Sequence, residues 1–213
     1  MKFLRIIIVV FAMFILHGNA GAQQVWRRLN DSVKGHCVSF GYNYSGTVSG
    51  ARMSGNGDVK VQERRFRFTG NGMEVICDGK SKWTIDKNSK EVVIESVASV
   101  GSVAESVNPA LIICDLEHHF SVVSSVSEKK EGKNIERISL KPLSSVLGII
   151  SMTIYVNAEV SVPVVTSASV KMKDNSEIVF TISSMTFSAL EPSSSFVFND
   201  SVLDSSWVVT DLR

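Results

Sequence analysis

The fold can be predicted most directly from residues Gly57 to Val97, GDVKVQERRFRFTGNGMEVICDGKSKWTIDKNSKEVVIESV. Apolar residues alternate with polar ones in short runs, and the runs are separated by Asn71-Gly72, Asp78-Gly79 and the polar segment 86–90. Alternation with a period of two between such turns predicts an antiparallel meander with one apolar face and one wet face.

Two registers are compatible with the strands that flank the Asp-Gly turn. A two-residue turn sets Val75 opposite Lys82, whereas a three-residue connection sets Val75 opposite Trp83 and Met73 opposite Ile85. A slip of one residue moves every side chain to the other face of the sheet. Matching of the apolar faces favours the second register.

The remaining strands are predicted on either side of this meander. Ser45-Gly46 and Ser54–Gly57 are interpreted as turns. Alternating or apolar runs after the meander predict further strands, for a total of about ten or eleven. These later runs are Phe120–Val126, Ile135–Leu140, Leu147–Val156, Val160–Met172 and residues 178–187.

Two or three short helices are expected to cover the concave face of the sheet, and two of them can be located in the sequence. Val25, Trp26, Leu29 and Val33 recur at three- and four-residue spacing, which predicts one apolar helical stripe that ends near Gly35. Further on, Asn108-Pro109 provides an N-cap followed by a proline suited to the first helical turn, ahead of an aliphatic run. A helix with so many apolar residues is expected to pack its apolar surface against another part of the protein or against a ligand.

The composition suits one globular domain, predicted over residues 23–213. The chain has 213 residues, of which 44% are hydrophobic and 20% charged, and its formal net charge is +1. It has no basic patch with interleaved aromatic residues, which argues against nucleic acid as a partner.

The first residues, Met1–Ala22, are predicted to be a cleaved signal peptide. Lys2 and Arg5 give a positive start, Ile6–Leu16 is apolar but short for a membrane span, and an Ala-Gly-Ala site precedes Gln23. The protein is therefore expected to be exported.

The sequence offers no catalytic or cofactor motif, so we expect a binding protein rather than an enzyme. It has no Gly-x-Ser-x-Gly elbow, phosphate loop, Cys-x-x-Cys pair or zinc spacing. His118-His119 is interpreted as a polar surface or helix-end pair, and no metal or other cofactor is expected. Cys37, Cys77 and Cys114 are interpreted as small buried hydrophobes, with one disulfide plus one thiol as the alternative.

An ordered set of motifs resembles the outer-membrane lipoprotein carrier (LolA) family. It covers nearly all of the chain after residue 22. The residues that carry the resemblance are Gly57, Phe66 and Phe68, Asp78-Gly79-Lys80 followed by Trp83, Leu140-Lys141-Pro142, Phe196-Val197-Phe198 and the terminal Asp211-Leu212-Arg213.

The resemblance implies a mainly β fold: a strongly curved, incompletely closed antiparallel β-barrel, or half-barrel, with short helices covering its concave face. It implies a monomeric carrier in the periplasm of a Gram-negative bacterium that shields the acyl chains of lipoproteins in a hydrophobic cavity. Its expected partners are acylated lipoproteins, an inner-membrane ABC lipoprotein exporter and an outer-membrane acceptor or the outer membrane itself. A lipid- or lipoprotein-sensing module of the same fold is the alternative, and a packed β-domain with a filled core is another.

Candidate residues follow from combining the strand pattern with the resemblance. The predicted lipid-binding cavity residues are Phe66, Phe68, Val75, Trp83, Ile85 and Ile94 on strands, with Leu111 and Ile112 on the covering helix. Many family members carry Arg-Pro before the aromatic pair, with the arginine latching a lid. Here Arg64 and Arg65 occupy that neighbourhood without the proline, so they are candidates for the latch, with surface arginines along a strand as the alternative.

Overall fold

The computed structural model of the protein describes residues 23–97, 108–114, 116–144 and 148–213. The predicted signal peptide, Met1–Ala22, lies outside these ranges. Helix α1 spans residues 23–34, as its apolar spacing predicted, and the one-turn helix α2 spans Leu116–His119. Short 3₁₀ helices span Pro109–Ile112, Ser193–Phe196 and Asp200–Val202.

The described residues form twelve strands rather than the ten or eleven expected. The strands are β1 Cys37–Val48, β2 Ala51–Gln62, β3 Arg65–Gly70, β4 Met73–Cys77, β5 Ser81–Asp86, β6 Glu91–Ser96, β7 Phe120–Lys130, β8 Lys133–Pro142, β9 Ile149–Asn157, β10 Val164–Met172, β11 Glu177–Ser188 and β12 Val208–Asp211.

All twelve strands belong to one sheet, in the order β12-β6-β5-β4-β3-β2-β1-β11-β10-β9-β8-β7. Neighbours pair antiparallel, except that β12 runs parallel to β6. Strands β12 and β7 are the two ends of this order and are not neighbours, so the sheet stays open. The predicted incompletely closed half-barrel is therefore confirmed.

Two of the predicted turns lie inside strands instead. Ser45-Gly46 belongs to β1 and Ser54–Gly57 to β2, and the connection between them is Ser49-Gly50, where φ is positive at both residues. Glycine serves here to let strands approach: a Cβ added at Gly57 would overlap the carbonyl oxygen of Thr69 on β3. The glycines therefore indicate close backbone contact in the middle of a sheet.

The predicted β4–β5 register is wrong by one residue. Val75 lies opposite Thr84, and Ile76 lies opposite Trp83. The last paired residues are Cys77 and Lys82, so four residues, 78–81, lie between them. The Asp78 carboxylate holds this turn by accepting hydrogen bonds from the backbone N–H groups of Lys80 and Ser81, both at 2.7 Å. Asp78 thus builds a longer turn than the three-residue connection assumed from the apolar pattern.

This register divides the apolar residues between the two faces of the sheet. The larger cluster lies on the inner, concave face, where α1, the Pro109–Ile112 helix and α2 cover it. The second cluster is made of Ile76, Trp83, Ile85 and Val92 on the outer face. The C-terminal segment covers this second cluster with Phe198, Leu203 and Trp207.

Candidate functional site: an apolar cavity on the inner face

The inner face is roofed by helices whose apolar residues follow from local sequence. Leu29 and Val33 of α1 and Leu116 of α2 are buried against the sheet. The Pro109–Ile112 helix begins as predicted, because the Asn108 side chain accepts a hydrogen bond from the N–H of Ala110 at 2.9 Å. It forms as a 3₁₀ turn, and Ile112 is fully buried.

Between this helix and strands β1 to β5 lies a cavity of about 410 Å³. Apolar and aromatic side chains dominate its wall. The lining residues are Tyr42, Tyr44, Val48, Met53, Phe68, Gly70, Asn71, Met73, Val75, Lys82, Thr84, Asn108, Pro109 and Phe180. A concave, largely apolar space of this size with a few polar groups is typical of a small-ligand site.

Stacked aromatic rings fix one wall of the cavity. The rings of Tyr42 and Tyr44 stack with centroids 6.3 Å apart, and both contact Phe180 at 6.1–6.2 Å. On β3, Phe66 and Phe68 stack at 6.3 Å. Such offset aromatic contacts contribute stability beyond area burial, so this wall is expected to be rigid.

The tyrosine hydroxyls at this wall have defined partners. The Tyr42 hydroxyl donates to the carbonyl oxygen of Thr69 at 3.1 Å, and the Tyr44 hydroxyl accepts from Asn71 Nδ2 at 2.9 Å. Burial, reinforced by Tyr44 and by Asp58, raises the pKa of Tyr42 to about 12. Tyr42 therefore remains neutral at physiological pH and adds no charge to the cavity.

The structure brings together only part of the predicted cavity set. Phe68 and Val75 line the cavity, and Phe66 and Ile112 belong to the same inner cluster. Leu111 lies within the Pro109–Ile112 helix, but its side chain lies outside the described part of the chain.

Three of the predicted cavity residues do not lie at the cavity: Trp83, Ile85 and Ile94. They belong to the outer-face cluster beneath the C-terminal segment. The cause is the one-residue register difference: Trp83 pairs with Ile76 and Ile94, so these side chains share the face opposite to Val75. The inner positions of β5 are instead held by Lys82 and Thr84, which line the cavity.

Sequence reasoning predicts the aromatic face of β1 but misses the contribution of Phe180 on β11 to this wall and the lysine in the cavity. The alternation Val38, Phe40, Tyr42, Tyr44 indicates one aromatic face, but nothing local tells that β11 lies beside it. In the sequence analysis, Lys82 appears only as the residue that a two-residue turn would set opposite Val75. Its ammonium pairs with Glu95 on β6 at 3.0 Å, and the Lys82 side chain is 14% exposed.

Arg64 and Arg65 lie beside a second cavity, of about 460 Å³, at the end of the half-barrel formed by α1, α2 and two turns. Arg65 pairs with Glu63 at 2.7 Å and stacks over the Phe196 ring at 5.8 Å. The carbonyl oxygens of Glu63 and Arg64 meet the thiols of Cys114 and Cys77. The latch assignment of either arginine stays a prediction.

A latch-like contact of a different origin is made by Arg28 on α1. Its Nη2 donates to the carbonyl oxygens of Val160 and Ser161, both at 3.1 Å. These carbonyls lie in the β9–β10 connection, so one guanidinium ties the roof helix to the far half of the sheet. No local pattern in the sequence signals this contact, because it joins residues more than 130 positions apart.

The remaining reactive side chains form no recognisable catalytic or metal centre in the ranges that the structure describes. Cys37, Cys77 and Cys114 are buried and not bonded to one another, and burial raises the pKa of the Cys37 thiol. Over the described ranges, no group of three or more His, Cys, Asp or Glu side chains is arranged to hold a metal ion. Within those same ranges, no helix has the length and apolar character needed to cross a membrane.

Comparison with known proteins shows the fold. The sequence matches no family model, and no curated protein is significantly similar to it in sequence. An uncharacterized conserved protein from Thermus thermophilus superposes with a TM-score of 0.53 at 10% identity, covering 90% of this chain and 99% of that one. A DUF1329 family protein from Desulfovibrio piger superposes with a TM-score of 0.51 at 9% identity, covering 87% and 98%.

A LolA superfamily protein from Nitrosomonas europaea is also among the similar structures. Its TM-score is 0.46 at 10% identity, over 83% of this chain and 97% of that one. These likenesses to solved structures concern the fold alone. At these identities nothing about ligand or partner follows from the likeness.

Proposed function

We propose that the protein is a carrier that binds the acyl chains of lipoproteins in the inner cavity and shuttles them from the inner to the outer membrane. It would act in the periplasm of a Gram-negative bacterium, receive cargo from an ABC exporter and deliver it to an outer-membrane acceptor or to the outer membrane itself. It would act by binding rather than by catalysis. The observation that carries this proposal is the largely apolar cavity of about 410 Å³ on the inner face, beside the Pro109–Ile112 helix.

The energetics of burial support an acyl ligand. Each methylene group moved from water into an apolar site contributes about 0.8 kcal/mol. A chain of roughly a dozen methylenes would therefore gain on the order of 10 kcal/mol before the costs of ordering it. Cavity residues such as Phe68, Met73 and Val75 would supply the apolar contacts.

A carrier must also release its cargo, and the polar groups in the wall favour release. Thr84, Asn71 and Asn108 line the same cavity as the apolar residues. Burying polar groups against a hydrocarbon chain costs free energy, which lowers the affinity below that of a purely apolar pocket. Binding that is favourable but reversible suits a shuttle.

The proposal is tested by native mass spectrometry of the mature protein mixed with a triacylated lipoprotein in detergent and then desalted. We expect a one-to-one complex that is absent when the cargo lacks its acyl chains. Phe68→Gln should abolish the complex, because it places an amide in the apolar wall. Ile94→Gln is the matched control, since Ile94 is a partly buried strand residue of the outer face.

The two variants separate ligand binding from folding. Both should lose some stability, as measured by urea unfolding, but only Phe68→Gln should lose the complex. Equal behaviour of acylated and non-acylated cargo would refute the carrier. Equal loss of binding in both variants would refute the assignment of the inner cavity.

A further inference from the structure

The outer face of strands β1 to β3 carries a polar depression of about 330 Å³. Its polar residues alternate along these strands with Phe40, Val59 and Phe68, which belong to the inner cluster, so their side chains project to the outer face. The polar residues that line the depression are Ser39, Asp58, Lys60, Arg67, Thr69 and Ser184.

The backbone of β1 and β11 creates this depression. Gly41 lies opposite Asp58 on β2 and opposite Ser183 on β11. A Cβ added at Gly41 would lie 2.8 Å from Ser183 Oγ and 3.7 Å from Asp58 Oδ1, so the glycine leaves the space between them open. The register of β11 shifts beside Gly41, and Ser184 there has a φ of 53°. Bulges and non-glycine residues with positive φ recur at functional sites, where they redirect side chains.

Two cations lie side by side at one end of the depression. Lys60 on β2 is directly opposite Arg67 on β3, an arrangement of like charges that is unfavourable by itself. Lys60 Nζ lies 2.6 Å from Glu191 Oε1, and Arg67 Nε donates to Glu74 Oε1 at 2.5 Å. Neither carboxylate lines the depression. An ammonium has three N–H donors and a guanidinium five, so both cations retain donors for a further anion.

A carboxylate lies on the other side of the depression. Asp58 is two residues from Lys60 along β2, a separation of about 7 Å between their Cα atoms. Its side chain forms no hydrogen bond or ion pair with the residues that the structure describes. The depression therefore presents two neighbouring cations and, several ångströms away, one carboxylate without an ion-pair partner in the described ranges.

We propose that this depression binds a small zwitterion, with its phosphate or carboxylate group on Lys60 and Arg67 and its ammonium on Asp58. Hydrogen bonds between ionised groups are the strong ones, and this ligand would form them at both ends. The spacing of the protein charges suits an aminoalkyl phosphate or an ω-amino acid, in which the two charges are several ångströms apart. The inference goes beyond the carrier proposal and does not depend on it, because the depression lies on the opposite face of the sheet.

The test is an NMR titration of the ¹⁵N-labelled mature protein with phosphoethanolamine and with 4-aminobutanoate. We expect saturable shifts of the Gly41 and Ser184 amide signals, and binding at least about tenfold tighter than that of inorganic phosphate or ethanolamine alone. Tight binding of phosphoethanolamine alone would assign the anionic group as a phosphate, and tight binding of 4-aminobutanoate alone would assign it as a carboxylate. Equal binding of dihexanoylphosphatidylethanolamine would assign a lipid head group, and its exclusion a free soluble compound.

Four variants separate the two ends of the site from its structural role. Asp58→Asn should keep phosphate binding but reduce the preference for phosphoethanolamine below about threefold, because the ammonium loses its partner. Gly41→Val keeps every charge and should abolish binding by filling the depression. Lys60→Gln should weaken binding about tenfold. Glu191→Gln breaks the same ion pair but keeps the ammonium, so it should bind at least as tightly as the wild type.

Several outcomes would overturn the inference. They are equal affinity for phosphoethanolamine and phosphate, an unchanged preference in Asp58→Asn, and equal weakening in Lys60→Gln and Glu191→Gln. Binding to a folded Gly41→Val protein would also overturn it, and the Asp58→Asn result decides the question if that variant does not fold. Binding of acylated cargo should stay within about twofold in Asp58→Asn, so failure here and failure of the carrier proposal are distinguishable.

Discussion

At the scale of single residues, Tyr42 shows how a cavity residue is tied into the fold. Its ring stacks on Tyr44, its hydroxyl donates to the Thr69 carbonyl oxygen, and a Cβ added at Gly70 would lie 2.6 Å from that hydroxyl. The glycine on β3 therefore leaves the space that the tyrosine fills. Gly57, singled out in the sequence as part of a family-like motif, pairs with both Tyr42 and Gly70.

The raised pKa of Tyr42 predicts an alkaline loss of stability. An ordinary tyrosine has a pKa near 10, whereas that of Tyr42 in the fold is about 12. Between these values the unfolded chain loses a proton that the folded chain keeps, so stability falls as pH rises through this window. Urea unfolding at pH 9 and pH 11 should show a smaller fall for Tyr42→Phe than for the wild type.

The same variant should be less stable than the wild type by about 1 kcal/mol at pH 9, because it lacks the hydrogen bond to Thr69. The two proteins should approach each other at pH 11. If both lost the same amount of stability between the two pH values, titration of Tyr42 would not be the cause.

At the scale of secondary-structure elements, α1 is attached to the sheet by two kinds of contact. Leu29 and Val33 pack into the inner cluster, and Arg28 bonds to the carbonyl oxygens of Val160 and Ser161 in the β9–β10 connection. The apolar contacts hold the helix over the half-barrel. The arginine fixes it to a connection whose backbone carbonyls would otherwise face solvent.

Arg28→Gln should loosen that connection without unfolding the protein. We expect faster amide hydrogen exchange over residues 158–163 and a loss of about 1 kcal/mol of stability, since a hydrogen-bonding charged group is removed near the surface. Arg27→Gln is the control, because Arg27 is exposed on the same helix. Unchanged exchange in Arg28→Gln, or equal changes in both variants, would contradict this role.

At the scale of the whole molecule, the single sheet separates a ligand face from a packing face. The inner face carries the cavity and its helical roof. The outer-face cluster of Ile76, Trp83, Ile85 and Val92 is covered by the C-terminal segment, which ends in β12 parallel to β6. Stability and binding should therefore respond to different residues.

Trp207→Ala tests this separation. Trp207 packs against the outer cluster, so its truncation should cost about 2 kcal/mol in urea unfolding, less than for a fully buried tryptophan. The affinity for acyl ligands should stay within about twofold, because the cavity lies on the other face. The matched control Val208→Ala, at an exposed position of β12, should change neither quantity. A joint loss of binding and stability in Trp207→Ala would show that the two faces are coupled.

Much of the local structure could be predicted from the sequence because it depends on near neighbours. Asn71-Gly72 turns the chain with positive φ at both residues, and Asp86 closes its turn by accepting the N–H groups of Asn88 and Ser89. Those hydrogen bonds hold the pKa of the Asp86 carboxyl below its usual value. Near neighbours also determine three other features that the sequence predicts: the alternation within the strands, the apolar stripe of α1 and the Asn108 cap.

Most strands and helices thus follow from local patterns in the amino-acid sequence. The half-barrel class, and Phe68 and Val75 as cavity residues, follow from those patterns together with the resemblance that the motifs carry. The face that Trp83 occupies, the position of β11 beside β1, and the partners of Lys82 and Arg28 depend on tertiary contacts. Strand alternation fixes which residues share a face within one strand but not how neighbouring strands align. Alignment depends on turn length and on contacts between distant residues, and a difference of one residue at Asp78 moved Trp83 from the predicted cavity to the opposite face.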